Sequence, residues 1–225
     1  LLFCYHGKLD FVLFPMKTVP LAGRHVRLEP FTGALREPVR TALDCDADAW
    51  RLFALNGQGA GFDGFWDSLN AQVAQGGWIA YAIRAVATGA VVGTTSFLNI
   101  KPTRQTVEIG GTFIHPDARS TFVNAEAKYL MLAHAFAGGM RRVELLTDAR
   151  NVRSQAAIAK LGAVREGVLR RERTTWTGHV RDSVLFAVTD LDWPEVRVRL
   201  ERRLGVHAGF TTAQKTPTAS SRRSS

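Results

Sequence analysis

The chain is poor in sulfur, in acid and in long apolar runs. Its 225 residues include two cysteines, Cys4 and Cys45. They stand far apart, without His or Cys neighbours at metal-ligand spacing. That excludes a disulfide framework and a cysteine-based metal centre, and it reads as free thiols in a reducing, cytoplasmic setting. No apolar run approaches the roughly 20 residues that span a bilayer, so no membrane-spanning helix is expected. Asp and Glu total 20 against 29 Lys and Arg, a formal net charge of +9. A balance of that sign suits anionic partners. Hydrophobic residues make up 46% of the chain, which excludes disorder throughout.

Part of the positive charge lies where it says little. The terminal stretch TTAQKTPTASSRRSS is basic, polar and almost free of apolar residues, so residues 206–225 read as a disordered tail. The charged run RVRLERRL reads as a solvated helix face, and nucleic acid is not expected as a partner. At the other end, His6, Lys8 and Asp10 interrupt an apolar segment that would otherwise resemble a leader. Residues 1–15 therefore read as an extension ahead of a functional chain starting at Met16. One domain over 16–205 is expected, since neither internal repeats nor a linker interrupt it.

Periodicity and turn residues order the elements. A strand is predicted over 25–31, helical segments over 35–56 centred on Ala47–Leu55, and a helix over 62–75 ended by Gly76 and Gly77. A hairpin follows, with strands at 78–84 and 90–100 about the turn Thr88-Gly89, then a long strand over 106–115. Next come a helix at 121–136, a strand at 142–147 and a helix at 151–161 stopped by Gly162. Strands at 163–176 and 181–189, joined at Thr177-Gly178, and a helix at 194–204 complete the chain. This order gives an α+β fold with a mixed central sheet of about six to seven strands and four to five helices.

The most telling stretch is TVEIGGTFIHPDARSTFVNAEAKYLMLAHAF, residues 106–136. It runs from an apolar strand through a short basic loop into an abrupt helix start. The first free N–H groups of such a helix, together with its dipole, favour an anion such as phosphate. With the later run NVRSQAAIAKLGAVREGVLR, it resembles the GNAT acyltransferases, in particular their RimJ/RimL-like branch. The later run matches that branch at Asn151, Ser154, Lys160, Leu161, Gly162, Glu166 and Gly167. The loop and helix match its R-x-T-x-V-N-x-E-A-K pattern at Arg119, Thr121, Val123, Asn124, Glu126, Ala127 and Lys128. The wider superfamily places small residues where Phe122 and Asn124 stand. Phe122 suits a phosphate loop only if its side chain turns away from the ligand.

The resemblance implies transfer of an acetyl group from acetyl-CoA directly to a primary amine, on a protein N-terminus or a small molecule, without metal. A longer acyl group such as succinyl, or coenzyme A binding with little catalysis, are the alternatives. A homodimer is compatible with the family. The same resemblance assigns coenzyme A contacts to Phe113, Ile114, His115, Arg119, Ser120, Thr121, Val123, Asn124, Asn151 and Ser154. Gly110 and Gly111 inside a strand mark a bulge, which would turn backbone N–H groups toward the thioester as an oxyanion hole. Glu108, on the same strand, is the expected base, directly or through water. Ser154, one turn after Asn151 on one helix face, is the expected proton donor to the leaving thiol. Asp182 and Trp176, on the last hairpin, are placed at the acceptor groove. His134 reads as a packed core histidine.

Overall fold

The computed structural model describes residues 16–205, so the expectations for 1–15 and 206–225 lie outside the described residues. Eight strands form one sheet in the order β1-β2-β3-β4-β5-β6-β8-β7. They are β1 Leu21–Ala22, β2 Val26–Pro30, β3 Ile79–Ala85, β4 Val91–Lys101, β5 Thr106–Ile114, β6 Arg142–Asp148, β7 Val164–Thr174 and β8 Val180–Thr189. Six α-helices accompany them: α1 Arg36–Leu43, α2 Ala47–Trp50, α3 Phe62–Ala74, α4 Phe122–Ala137, α5 Val152–Leu161 and α6 Trp193–Leu204. The sheet is antiparallel except where β5 and β6 run parallel across the α4 crossover. The expected α+β class with a mixed sheet holds, with one strand and one helix beyond the upper counts. The added strand is β1, a two-residue pairing with β2 too short to leave a periodic signal.

Alternation along β3 shows why the sheet is buried on both sides. Ile79, Tyr81 and Ile83 point into a core with α4, α5 and α6, where Met131, Leu132, Ile158, Leu161 and Leu200 meet them. Ala80 and Ala82 point the other way, into a core with α1, α2 and α3 built on Trp50, Phe62, Phe65 and Trp66. A strand with apolar residues on both faces belongs at the centre of a three-layer arrangement. Small residues on the second face leave room for its aromatic side chains.

The helical reading over 47–55 needs correction, because α2 stops at Trp50. The carbonyls beyond it are occupied by the last hairpin. Trp176 Nε1 donates to Trp50 O at 2.8 Å, the Trp176 backbone N–H donates to Phe53 O at 3.2 Å, and Arg181 Nη1 donates to Leu52 O at 3.1 Å. Carbonyls bonded across the fold are not available to propagate a helix, and tertiary context overrides local propensity. The stop at Gly162 is as expected: it takes φ +98°, a left-handed helix cap that glycine adopts without strain.

Candidate active site

The site is built where two neighbouring strands part. β5 pairs with β6 only over Thr106–Glu108 against Arg142–Glu144. Both strands continue, β5 to Ile114 and β6 to Asp148, so they diverge beyond Glu108 and leave a wedge between them. On its other edge β5 is held by β4, with a register shift between Thr94 and Ser96. The extra residue at that bulge is accommodated by Gly111, at φ +56°, where a side chain would be strained. The expected bulge is therefore present, on the strand that borders the wedge.

Glu108 stands at the vertex. It is 5% exposed. Its Oε2 accepts from Asn99 Nδ2 at 2.9 Å, and its Oε1 lies 3.9 Å from Arg173 Nη2. Burial pushes its carboxyl above the usual range, against the opposing pull of Arg173 and of the Asn99 hydrogen bond. Gly110 keeps the space beside it clear, since a Cβ there would meet Leu98 Cδ1 at 2.6 Å and Glu108 Oε1 at 3.0 Å.

A network of charge surrounds this carboxylate. Arg173 donates to both Glu172 oxygens, at 2.6 and 2.8 Å. Glu172 Oε2 also accepts from Ser183 Oγ at 2.9 Å, and Arg181 Nε donates to Ser183 Oγ at 2.9 Å. Arg181 is buried, and desolvation pulls its pKa down despite Glu172. Asn99, Glu172, Arg173 and Arg181 surround Glu108 here, and the sequence reading singles out none of them. A short-range clue exists in RRERT, where one acid stands among basic residues on a strand, but pairing across β7 and β8 is needed to give it meaning.

The loop between β5 and α4 shapes the other end. Thr121 caps α4: its Oγ1 accepts from Val123 N–H at 3.2 Å and donates to Ala118 O at 2.6 Å. Ser120 supplies positive φ, at +62°, where the superfamily uses glycine elsewhere in the loop. Phe122 stacks on His25 with ring centroids 4.7 Å apart, so its bulk lies against the β1–β2 turn. Val123 is buried and Asn124 half-buried. Arg119 is engaged on the opposite side: Nη1 lies 2.5 Å from Asp46 Oδ2, Nε donates to Ile114 O at 2.9 Å, and the guanidinium lies 5.6 Å from the centre of the Phe113 ring. Phe113 in turn stacks on Trp50 at 4.6 Å. His115 Nδ1 accepts from Asp117 N–H at 3.3 Å. Loop, wedge and α2 are thus tied together by Arg119, Phe113 and Trp50.

On the far wall, Asn151 caps α5 by accepting from the Ser154 N–H at 2.9 Å. That leaves Ser154 Oγ without a hydrogen-bond partner among the described residues. Trp176 is half-exposed and packs on the α2 segment through its bond to Trp50 O. Asp182 is exposed; its Oδ1 accepts from Arg171 N–H at 2.7 Å, in a shallow groove with Val168, Leu169 and Val180. The structure therefore gathers Glu108 with the β7–β8 charges and places Trp176 beside α2, whereas Asp182 lies out on the hairpin. His134, expected as a packed core histidine, is half-buried at the edge of the core beside Phe97, its Nε2 2.9 Å from Lys17 O.

The wedge thus lies between a bulged strand and the capped start of a 16-residue helix, whose first backbone N–H groups suit an anionic ligand. The described residues contain no group of three His, Cys, Asp or Glu placed to hold a metal ion. None of their helices is long and apolar enough to cross a membrane.

Comparison with known proteins agrees with this geometry. The acetyltransferase (GNAT) domain model matches residues 25–164. A candidate acetyltransferase from T. thermophilus is 35% identical, with a TM-score of 0.73 over 82% of this chain and 96% of that one. A GCN5-related N-acetyltransferase from Brucella melitensis is 25% identical, with a TM-score of 0.73 over 83% and 85%. Mycobacterium smegmatis RimJ, solved with CoA-disulfide, shares the fold at 20% identity and a TM-score of 0.69, over 83% and 93%. No protein of curated function matches the sequence. The chain belongs to the acetyltransferase (GNAT) domain family and is an acyltransferase.

Proposed function

We propose that this protein transfers an acetyl group from acetyl-CoA to a primary amine, with Glu108 as the base. The observation that carries the reading is the buried Glu108 at the vertex of the β5–β6 wedge, its carboxyl raised above the usual range by burial. A carboxylate with raised pKa is better matched to an ammonium proton than an ordinary one. In the proposed reaction, the acceptor ammonium gives a proton to Glu108, directly or through water. The neutral amine attacks the thioester carbonyl. Backbone N–H groups along the wedge edge of β5 receive the developing oxyanion. The tetrahedral intermediate then expels the thiolate, which takes a proton from the Ser154 hydroxyl as that hydroxyl regains one from the positively charged nitrogen of the intermediate, so that amide and free thiol leave together.

The phosphates are assigned to the backbone at 120–124 and the start of α4, because the Arg119 side chain is already bonded to Asp46 and Ile114. Acetyl is preferred to succinyl as the donor group, because Arg173 and Arg181 are matched by Glu172 rather than left for a substrate carboxylate. Asn99, Arg173 and Trp176 border the proposed acceptor side. In the cell the reaction would be cytoplasmic, and a protein N-terminus and a small-molecule amine are the two acceptor classes.

The test is Glu108→Gln, assayed with acetyl-CoA and a panel of amines. The expected result is a rate lower by about a hundredfold or more with coenzyme A affinity kept, and loss of an acid limb lying above the ordinary carboxylate range. Wild-type rate and an unmoved pH profile would remove Glu108 from the chemistry.

A further inference from the structure

On the opposite face of the same bulge lies Lys128, a buried amine that the proposed reaction does not use. It sits on the second turn of α4, 5% exposed. Its Nζ donates to Thr95 Oγ1 of β4 at 3.2 Å and to Thr112 Oγ1 of β5. These two hydroxyls are 2.8 Å apart. Thr112 Oγ1 donates onward to Gly110 O at 3.4 Å, and Thr95 Oγ1 donates to Met131 Sδ at 3.3 Å. Thr95 on β4 and Gly111 and Thr112 on β5 lie within the register shift, between the pairs Thr94–Phe113 and Ser96–Gly110. One side chain therefore joins both strands across the distortion that forms the edge of the wedge.

We propose that Lys128 is a positioning residue for acyl transfer: from the α4 side, it clamps Thr95 to Thr112 and so sets the path of Gly110–Thr112 along the wedge. The inference rests on the acetyl-transfer reading for its effect on rate, but the clamp itself is independent of it. An ammonium carries donors only, so while it is charged both hydroxyls accept from it and must donate elsewhere, one of them to the Gly110 carbonyl. Loss of the proton gives the amine a lone pair, and the chain of donors is no longer fixed in one direction.

The surroundings place that change in the physiological range. Among the described residues, the elements around Lys128 supply no compensating carboxylate. β4 and β5 present Thr95 and Thr112, and β2 sends the apolar Val26 and Leu28 into the α4 core. Glu126, on the same helix, accepts instead from the backbone N–H groups of Arg24, His25 and Val26 at 2.6 to 2.9 Å. Glu201 of α6 accepts from Tyr129 Oη and Arg197 Nε. Burial alone acts on Lys128 and pulls its pKa down to about 7.

The experiment is an NMR titration of the full chain, with lysine side chains and backbone amides labelled, together with a pH–rate profile. Wild type, Lys128→Met and Thr112→Val are compared. In wild type the Lys128 signal is expected to titrate near pH 7, and the amides of Gly110, Gly111 and Thr112 to move with the same midpoint. The kcat profile should lose rate through that midpoint as the pH rises. In Lys128→Met those amide movements and that limb should vanish, with kcat about tenfold lower and the KM for acetyl-CoA changed less than threefold. Thr112→Val keeps the amine and cuts the link, so it should leave the lysine titration in place and uncouple the amides from it, even if Lys128→Met folds poorly. Amides that stay still through the Lys128 transition, or a Lys128→Met profile with its limb intact, would overturn the proposal. Coupled amides in a protein that acetylates no amine would support the clamp and sink the acetyl-transfer reading instead.

Discussion

β5 meets a buried charge cluster on one face and a solitary buried amine, Lys128 of α4, on the other. On the α1–α3 face, Glu108 stands with Asn99, Arg173, Glu172, Arg181 and Ser183, so that each charge has an opposite one or a dipole nearby. On the α4 face, Lys128 meets two threonine hydroxyls and no carboxylate. The difference lies in what sets each titration. Glu108 answers to competing influences, burial against Arg173 and Asn99, whereas Lys128 answers to burial alone. A network can therefore be broken from several positions, and a solitary charge only by removing it or its burial.

The largest loss of stability is expected from breaking the network. Arg181→Met removes the buried partner of Ser183 and of the Leu52 carbonyl and leaves Glu172 facing Arg173 alone. Glu172 keeps both bonds to Arg173, so the cost comes from the Ser183 hydroxyl and the Leu52 carbonyl, each of which loses a charged donor worth about 1.5–3 kcal/mol. Relief of the burial that disfavours the Arg181 charge offsets part of this, so a loss on the order of 2 kcal/mol in chemical denaturation is expected. An unchanged midpoint would mean that the cluster is solvated and that the two faces differ less than their burial implies.

Removing the solitary amine should act in the other direction and only in one pH window. The folded pKa of Lys128, about 7, lies below its unfolded value. The unfolded chain therefore holds this proton more tightly, and stability rises with pH between about 7 and the ordinary lysine value of about 10.4. The slope approaches about 1.4 kcal/mol per pH unit from this one group. Lys128→Met should flatten it and raise stability most at and below pH 7, where the wild type carries a buried charge. Parallel stability curves for the two proteins would mean that Lys128 stays ionised with water at hand.

Gly110→Ala tests the space between the two sites. Its methyl group would meet Leu98 and Glu108 Oε1, so Leu98 or the carboxylate must shift. A misplaced base costs on the order of tenfold to a hundredfold in rate. The expected outcome is a lower kcat, with coenzyme A affinity and the Lys128 titration preserved, because the amine bonds to the opposite side of the strand.

These sites differ in how far they are legible in the residues alone. Glu108, Gly110 and Gly111 announce themselves within one short run, because a carboxylate and paired glycines are unusual inside a strand. The caps at Thr121, Asn151 and Gly162 are equally local, and so are the elements they bound. The charge cluster beside Glu108 depends on β7 lying beside β8 and on the bulge that brings Arg173 opposite Arg181, and no short window records that pairing. Lys128 hides for the opposite reason. A lysine on a helix reads as a surface residue, and only the packing of α4 across β4 and β5 shows that its side chain is buried. The place of Arg119 in the loop points to phosphate, and its bond to Asp46 emerges only once α2 is folded against that loop.

Phe122 gives the smallest expected effect and the sharpest test of the loop. Its ring stacks on His25 and is 48% exposed, so it occupies the β1–β2 side of the helix start. If the phosphates are held by backbone N–H groups at 120–124, the ring is a spectator. Phe122→Ala should then leave the dissociation constant for coenzyme A within about twofold in calorimetry, at a cost in stability of about 1 kcal/mol for the lost stacking. An affinity gain of about tenfold or more would show that the ring obstructs the site where the superfamily keeps small residues. An equal loss would show that it holds part of the ligand. Either result would move the donor end of the wedge off its backbone and onto a side chain, and the two ends of the site would then both depend on side-chain chemistry.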